Sequence, residues 1–194
     1  MIPRETLEKL YKSGNSMGDI SKKLGKSPHQ VVYWMDKHNI PRRSPSEATY
    51  IKRNPHGDPF RIKTNLLSEE AYLKGLGLGI FWGEGDKNNR LGIKVGNSSP
   101  RLIKKFIEFL TKICGVSREK LYFNLIVFND SDPNEALKFW VDQLNVSPDR
   151  FGKVTVIPPQ GKGTYKKKSR YGVLTVACFN VKLKKWFDEQ IKLL

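Results

Sequence analysis

The sequence predicts an α+β fold in two domains, a three-helix domain followed by a four-stranded sheet with helices on one face. Three observations predict it. Apolar residues recur at helical spacing in residues 1–40, Pro and basic residues break that pattern in residues 41–67, and helical stretches alternate with strand-like stretches in residues 68–194. A chain of 194 residues with 38% apolar content forms one large domain or two small ones. We assign residues 41–67 as a basic linker.

The chain is strongly basic, with a formal net charge of +16. Residues 1–66 hold 13 Lys and Arg against 6 Asp and Glu, and the remainder holds 22 against 13. Both halves are therefore expected to contact a polyanion, of which nucleic acid is the usual one. Because no run approaches 18 uncharged apolar residues and no signal-peptide core is present, we expect an intracellular protein, cytoplasmic or nucleoid-associated, with no membrane partner. Cys114 and Cys178 lie in apolar patterns without metal-ligand spacing, which predicts buried free thiols.

The first 40 residues read as three short helices, at Arg4–Ser13, Ser16–Leu24 and Pro28–His38. Gly25 marks a tight turn, and Ser27 followed by Pro28 and Gln30 is a strong helix start. This region resembles the small helix-turn-helix modules of recombinases, transposases and homing endonucleases, which implies that the third helix enters the major groove. The residues expected at base edges are His29, Gln30 and Tyr33, and those expected at phosphates are Lys26, Lys37, Arg42 and Arg43. A trihelical module for protein contacts is the alternative.

The stretch 41–67 is interrupted by prolines and has one possible short helix, at Ser46–Lys52. Its basic residues suit either an arm along a DNA groove or a solvated linker.

Residues 68–194 predict the element order α-β-α-β-α-β-β-α. Alternating Leu91, Ile93 and Val95 begin the sheet, whose other strands are expected at Leu121–Asn129, Lys153–Pro158 and Tyr171–Asn180. Lys94 points away from the buried face of the first strand, and an open sheet face suits DNA. The loop before the last strand is either a phosphate-binding loop or a solvated hairpin tip, and its basic residues are Lys162, Lys166, Lys167, Lys168 and Arg170.

The first helix of this region carries Gly75, Gly77, Gly79 and Gly83 and ends on Glu84. Each helical Gly costs roughly 0.5–1 kcal/mol relative to Ala, so close backbone packing is the expected compensation. Gly79 and Gly83 are four residues apart and share one helix face, which lets a second helix approach closely. A buried Gly-rich helix, or a Gly-x-Gly phosphate loop with an incidental Glu, is the alternative.

The run from Gly77 to Gly85 resembles the LAGLIDADG motif of homing endonucleases, with Trp82 in place of a common acidic residue. The resemblance implies a LAGLIDADG-like domain over residues 68–194, a homodimer, and Mg²⁺ or Mn²⁺ as cofactor. It implies that Glu84 is the catalytic metal ligand and that the Gly83 carbonyl assists it. The implied dimer interface comprises Leu76, Gly79, Ile80 and Gly83. The chain departs from the family's pattern because a helix, rather than a second hairpin strand, follows the first strand.

These observations lead to one principal function and two alternatives. We expect a sequence-specific double-stranded DNA-binding protein that acts as a homodimeric, metal-dependent DNA endonuclease of the homing type, encoded by a mobile element. A non-cleaving transcriptional regulator on the same scaffold is the alternative. A recombinase-like or RNA-binding protein is disfavoured, because the sequence offers neither a nucleophile nor an aromatic stacking platform.

Overall fold

The structure, a computed structural model, describes residues 1–158 and 169–193, and the chain divides into two compact units, Met1–Pro59 and Phe60–Leu194. The division falls within the predicted linker, whose first part belongs to unit 1 and whose last part belongs to unit 2. Unit 1 contains α1 Arg4–Lys12, α2 Met17–Leu24, α3 Pro28–Lys37 and α4 Pro45–Arg53. Unit 2 contains α5 Ser68–Glu84, β1 Ile93–Asn97, α6 Pro100–Lys112, β2 Tyr122–Phe128, α7 Pro133–Leu144, β3 Thr155–Ile157, β4 Val173–Cys178 and α8 Val181–Ile191.

Unit 1 is built around a small apolar core to which α1, α2 and α3 contribute Leu7, Ile20, Val31 and Met35. Its helix boundaries follow the local sequence signals. Gly25 ends α2 in the left-handed conformation at φ 60°, and a capping box then starts α3. In that box the backbone amide of Gln30 donates to Ser27 Oγ at 3.2 Å, and the backbone amide of Ser27 donates to Gln30 Oε1 at 3.0 Å.

Unit 2 is an α+β layer around a mixed four-stranded sheet with strand order β1-β4-β2-β3. β4 pairs antiparallel with both β1 and β2, and β2 pairs parallel with β3. The parallel pair is joined through α7, because parallel strands need a crossover connection. The α+β class, the four strands and their order along the chain are as predicted. The hairpin alternative for the basic loop is wrong, because β2 lies between β3 and β4.

One face of the sheet is buried under helices and the other is open. The registers place Ile93, Val95, Phe123, Leu125, Leu174 and Val176 on the core side, and each is at most 2% exposed. Side chains on the opposite side are mostly half-buried or exposed, namely Lys94, Tyr122, Asn124, Ile126, Val173 and Thr175. We call this second side the open face.

The helices of unit 2 share the core on the covered side of the sheet. α5 and α6 meet so closely at Gly77 that a Cβ added there would lie 2.1 Å from Cγ of Phe109. Cys114 and Cys178 are buried free thiols, as predicted, and burial raises the pKa of Cys178 to about 11. Within residues 1–158 and 169–193, no helix has the length and apolarity needed to cross a membrane.

Candidate active site and nucleic-acid interface

The carboxyl end of α5 is fixed against the edge strand of the sheet. Gly85 forms a β-bridge with Val95, and the Asp86 amide donates to the Lys94 carbonyl at 3.0 Å. A Cβ at Gly85 would lie 2.3 Å from Cδ2 of Phe81, so the chain can leave α5 past the Phe81 ring only with glycine at this position. These contacts place Glu84, the last residue of α5, beside the edge of β1.

Two oxygen-bearing groups at this helix end remain available for a ligand. Glu84 is exposed, and among the described residues no donor reaches its carboxylate or the carbonyl of Gly83. Nearby acceptors are occupied instead: Lys87 Nζ donates to the Trp82 carbonyl at 2.7 Å, and the Asp86 carboxylate accepts two loop amides at 3.2 Å each. Asp86 therefore caps the loop, and Glu84 is the free carboxylate.

The donor set fits a hard divalent cation only in part. In the part of the chain that the structure describes, no group of three or more His, Cys, Asp or Glu side chains converges. Mg²⁺ usually takes one or two carboxylates and completes its shell with water and phosphate oxygens. One Glu84 carboxylate with the Gly83 carbonyl is therefore sufficient only if a second chain and a phosphate contribute the remaining oxygens.

A buried lysine braces the loop that follows Glu84. Lys184 of α8 is 4% exposed, and its Nζ contacts the two Asp188 carboxylate oxygens at 2.6 and 2.7 Å. The same Nζ donates to the Lys87 carbonyl at 3.3 Å. A buried ammonium that loses its partners is costly, so these contacts hold the loop against α8. No sequence pattern marked Lys184, because a lysine on an amphipathic helix is ordinarily solvated.

One side of α5 is an exposed stripe of glycines and large apolar side chains. A Cβ added at Gly75, Gly79 or Gly83 would have no neighbour within 4 Å. Tyr72 is 72% exposed and Trp82 is 59% exposed. We call this surface the glycine stripe, comprising Tyr72, Gly75, Leu76, Gly79, Trp82 and Gly83. Of the four predicted interface residues, Gly79 and Gly83 are exposed in the stripe and Leu76 lies in it half-buried, whereas Ile80 is half-buried and packs against the core of unit 2.

The predicted base-reading residues of unit 1 share the exposed side of α3. His29, Gln30 and Tyr33 are all exposed, and so is Lys37, which is predicted to contact phosphate. Gln30 already uses its Oε1 atom in the capping box, which leaves its amide nitrogen for other contacts. The Nζ of Lys37 lies 5.0 Å from the centroid of the half-buried Trp34 ring.

The two adjacent arginines have different environments. Arg42 is exposed, with a 3.6 Å ion pair to Asp36. Arg43 stacks on the Tyr11 ring at 3.8 Å and donates to the backbone carbonyls of Tyr11 and Asn15. Because its guanidinium joins α1 to the start of α4, we assign Arg43 a structural role in place of the expected phosphate contact.

The predicted contacts in unit 2 are only partly described. Lys94 lies on the open face, with its Nζ 5.7 Å from the Phe179 ring centroid. Arg170 pairs with Glu135 of α7 at 2.7 Å. The remaining predicted loop contacts, Lys162, Lys166, Lys167 and Lys168, lie outside the described residues.

Sequence reasoning missed an aromatic pair on the open face. Tyr122 and Phe179 are 53% and 50% exposed, and their ring centroids are 5.4 Å apart. The sequence did not indicate that two exposed aromatic rings meet on this face. Strand alternation signals that each ring points away from the core, but only the strand order shows that the two rings meet.

No family model, curated protein or solved structure matches this chain. The resemblance to LAGLIDADG proteins therefore depends on the motif residues themselves.

Proposed function

We propose that this protein is a homodimeric, sequence-specific double-stranded DNA-binding protein that cleaves DNA with Mg²⁺ or Mn²⁺, as LAGLIDADG homing endonucleases do. The observation that carries the proposal is the glycine stripe, which is exposed along α5 and ends beside the free Glu84 carboxylate. An exposed helix face with large apolar side chains and no Cβ at three positions is suited to close contact with a second copy of itself.

The proposed dimer explains the incomplete donor set. Two copies of α5 packed along their glycine stripes bring both helix ends to the two-fold axis, so that two Glu84 carboxylates and two Gly83 carbonyls converge there. In such a dimer these oxygen atoms would hold the metal. A bound divalent ion activates water and stabilises the charge that develops on the phosphate. The Lys184 contacts keep the loop, and with it the end of α5, in position.

DNA contacts are assigned to three basic surfaces. In unit 1, the exposed side of α3 supplies His29, Tyr33 and Lys37 for a groove, and Arg42 meets phosphate. In unit 2, the open face of the sheet presents Lys94, and the basic segment around Lys162–Lys168 is expected to add backbone contacts. A two-fold dimer then reads a long, partly palindromic site.

A cleavage assay on a randomised duplex library tests the proposal. Wild-type protein with Mg²⁺ or Mn²⁺ is expected to cut a subset of sequences, and Glu84→Gln is expected to bind the same sequences without cutting. Glu189→Gln is the matched control, because Glu189 is an exposed glutamate on α8 and its ion-pair partner, Lys185, is not among the predicted DNA contacts. Metal-dependent cutting that survives Glu84→Gln would refute the assignment.

A non-cleaving regulator is the second candidate. It is favoured by the departure of the sheet from the family's pattern, since a helix follows β1 where a hairpin strand is usual. Enrichment of specific sequences without cuts in either metal would identify this function.

A further inference from the structure

The aromatic pair on the open face has no role in the function proposed above. Among the described residues, the other highly exposed aromatic side chains lie on helices: Tyr33 on α3, and Tyr72 and Trp82 on the glycine stripe. Tyr122 and Phe179 instead meet edge to face on the sheet, at an interplanar angle of 60°. Two half-exposed rings in contact on a sheet leave apolar surface in water, which indicates a ligand surface.

The registers define what surrounds the rings. One row across the sheet runs from Lys94 through Ala177 to Tyr122, and Phe179 follows Ala177 two residues along the chain. The small Ala177 side chain leaves the rings and the lysine standing above the sheet. In the adjacent row, Gly96 and Asn124 flank Thr175. Successive rows on one face are about 7 Å apart, so the Asn124 amide and the Thr175 hydroxyl lie one row from Tyr122 and two rows from Phe179.

The charge of this surface is suited to a polyanion. Lys94 contributes a cation 5.7 Å from the Phe179 centroid. Within β1 to β4, none of the described residues that the registers place on the open face is Asp or Glu. Glu84 and Asp86 lie beyond the edge of β1, on either side of Gly85. The surface therefore combines flat apolar rings, a cation, and an amide with a hydroxyl, which are the groups that recognise a nucleotide by stacking, phosphate contact and base-edge hydrogen bonds.

We propose that Tyr122 and Phe179 form a stacking platform for an unpaired base of single-stranded DNA. A base inside a duplex has both faces covered by its neighbours, so these rings can stack only on a base that has left the helix. Lys94 contacts the phosphate of the stacked nucleotide, and Asn124 and Thr175 contact the edge of the base. The inference concerns single-stranded DNA and is independent of duplex cleavage.

The test uses a short single-stranded DNA in which one base is replaced by fluorescent 2-aminopurine, whose emission is quenched by stacking. Wild-type protein is expected to quench the probe on binding. Tyr122→Leu and Phe179→Leu are each expected to weaken binding about 5- to 150-fold, the range for loss of one base–aromatic stack, and to reduce the quenching. Tyr122→Phe keeps a ring and is expected to retain both signals.

Three controls separate stacking from misfolding. Val156→Ala removes an equally exposed apolar side chain, 50% exposed, from the edge strand β3 and is expected to bind as wild type. Circular dichroism melting checks that the leucine variants remain folded. If a leucine variant is unfolded, the test uses Tyr122→Trp in its place, which enlarges the ring and is expected to preserve quenching.

The possible outcomes differ for the two proposals. Quenching that depends on both rings supports the platform. Duplex binding without quenching of single-stranded DNA overturns the platform and leaves the proposed function intact. If the leucine variants bind single-stranded DNA as tightly as the wild type does, the platform is overturned. The platform is also overturned if RNA of the same sequence binds more tightly than DNA. Absence of binding to both duplex and single strand overturns both proposals.

Discussion

Two glycines of the same helix, Gly77 and Gly79, are predicted to respond in opposite ways to substitution by alanine. Gly79 lies on the glycine stripe, where an added Cβ has no neighbour within 4 Å. Gly77 faces α6, where an added Cβ would lie 2.1 Å from Cγ and 2.7 Å from Cβ of Phe109. Gly79→Ala should therefore stabilise the single subunit while weakening the proposed dimer, and Gly77→Ala should destabilise the subunit.

The magnitudes follow from helix propensity and packing. Alanine improves an interior helix position by roughly 0.5–1 kcal/mol, which is the expected gain in free energy of unfolding for Gly79→Ala. Overpacking a close contact costs about 1–3 kcal/mol, which outweighs that gain for Gly77→Ala. In a two-fold dimer, Gly79→Ala adds two methyl groups to the interface, for a loss of about 2–6 kcal/mol, or a dissociation constant at least about 30-fold higher.

The measurements are sedimentation equilibrium for the dissociation constant and urea denaturation for the free energy of unfolding. Denaturation is done at a concentration where the wild type is monomeric, because dimerisation would otherwise add to the apparent stability. A wild type that stays monomeric with and without DNA would refute the dimer. Unchanged association of Gly79→Ala would show that the stripe is not its interface, and a destabilised Gly79→Ala monomer would contradict the exposed position of this glycine.

Three further predictions concern the second unit. Lys184→Met should lower the free energy of unfolding by only about 1 kcal/mol in urea denaturation, because it removes the bonds to Asp188 and to the Lys87 carbonyl, while the Asp188 side chain, 43% exposed, regains water; Lys184→Arg should recover part of the loss. Hydrogen bonds from Lys105 and Lys112 hold the pKa of Glu108 below its ordinary value of 4.5. The ionised Glu108 carboxylate therefore stabilises the folded state above pH 4.5, and this stabilisation is lost as the pH falls through the lowered pKa. The stability difference between wild type and Glu108→Gln should therefore shrink in acid, as denaturation at a series of pH values would measure. Since burial raises the pKa of Cys178 to about 11, a thiol reagent at neutral pH should modify this residue only after the protein unfolds. Mass spectrometry measures the modification, and rapid modification of Cys178 in the folded protein would contradict its buried position.

Local signals were sufficient for much of the fold. The capping residues Ser27 and Gln30 define the start of α3, and Gly25 defines the preceding turn, because caps and turns depend on residues adjacent in sequence. The order of helices and strands in unit 2 follows from hydrophobic periodicity for the same reason.

Features that depend on distant pairing could not be predicted. Strand alternation does not reveal that β2 lies between β3 and β4, since strand order is a property of the whole sheet. The four glycines of α5 have similar sequence surroundings, and only the position of α6 separates the buried Gly77 from the exposed Gly79. Arg43 belongs to a basic pair, yet its contact with Tyr11 joins residues 32 apart in sequence.

The strand order has a consequence for synthesis of the chain. β4 is the last strand in sequence, yet it separates β1 from β2 and supplies the hydrogen-bonding partner of each. While the ribosome is still making the first 172 residues, β1 therefore lacks the strand that lies beside it in the sheet, although α5 and α6, which pack on its apolar side, have already been made. The sheet of unit 2 can therefore form completely only after residue 178, the end of β4, has been made, whereas unit 1, built from local helical contacts, is free to fold much earlier.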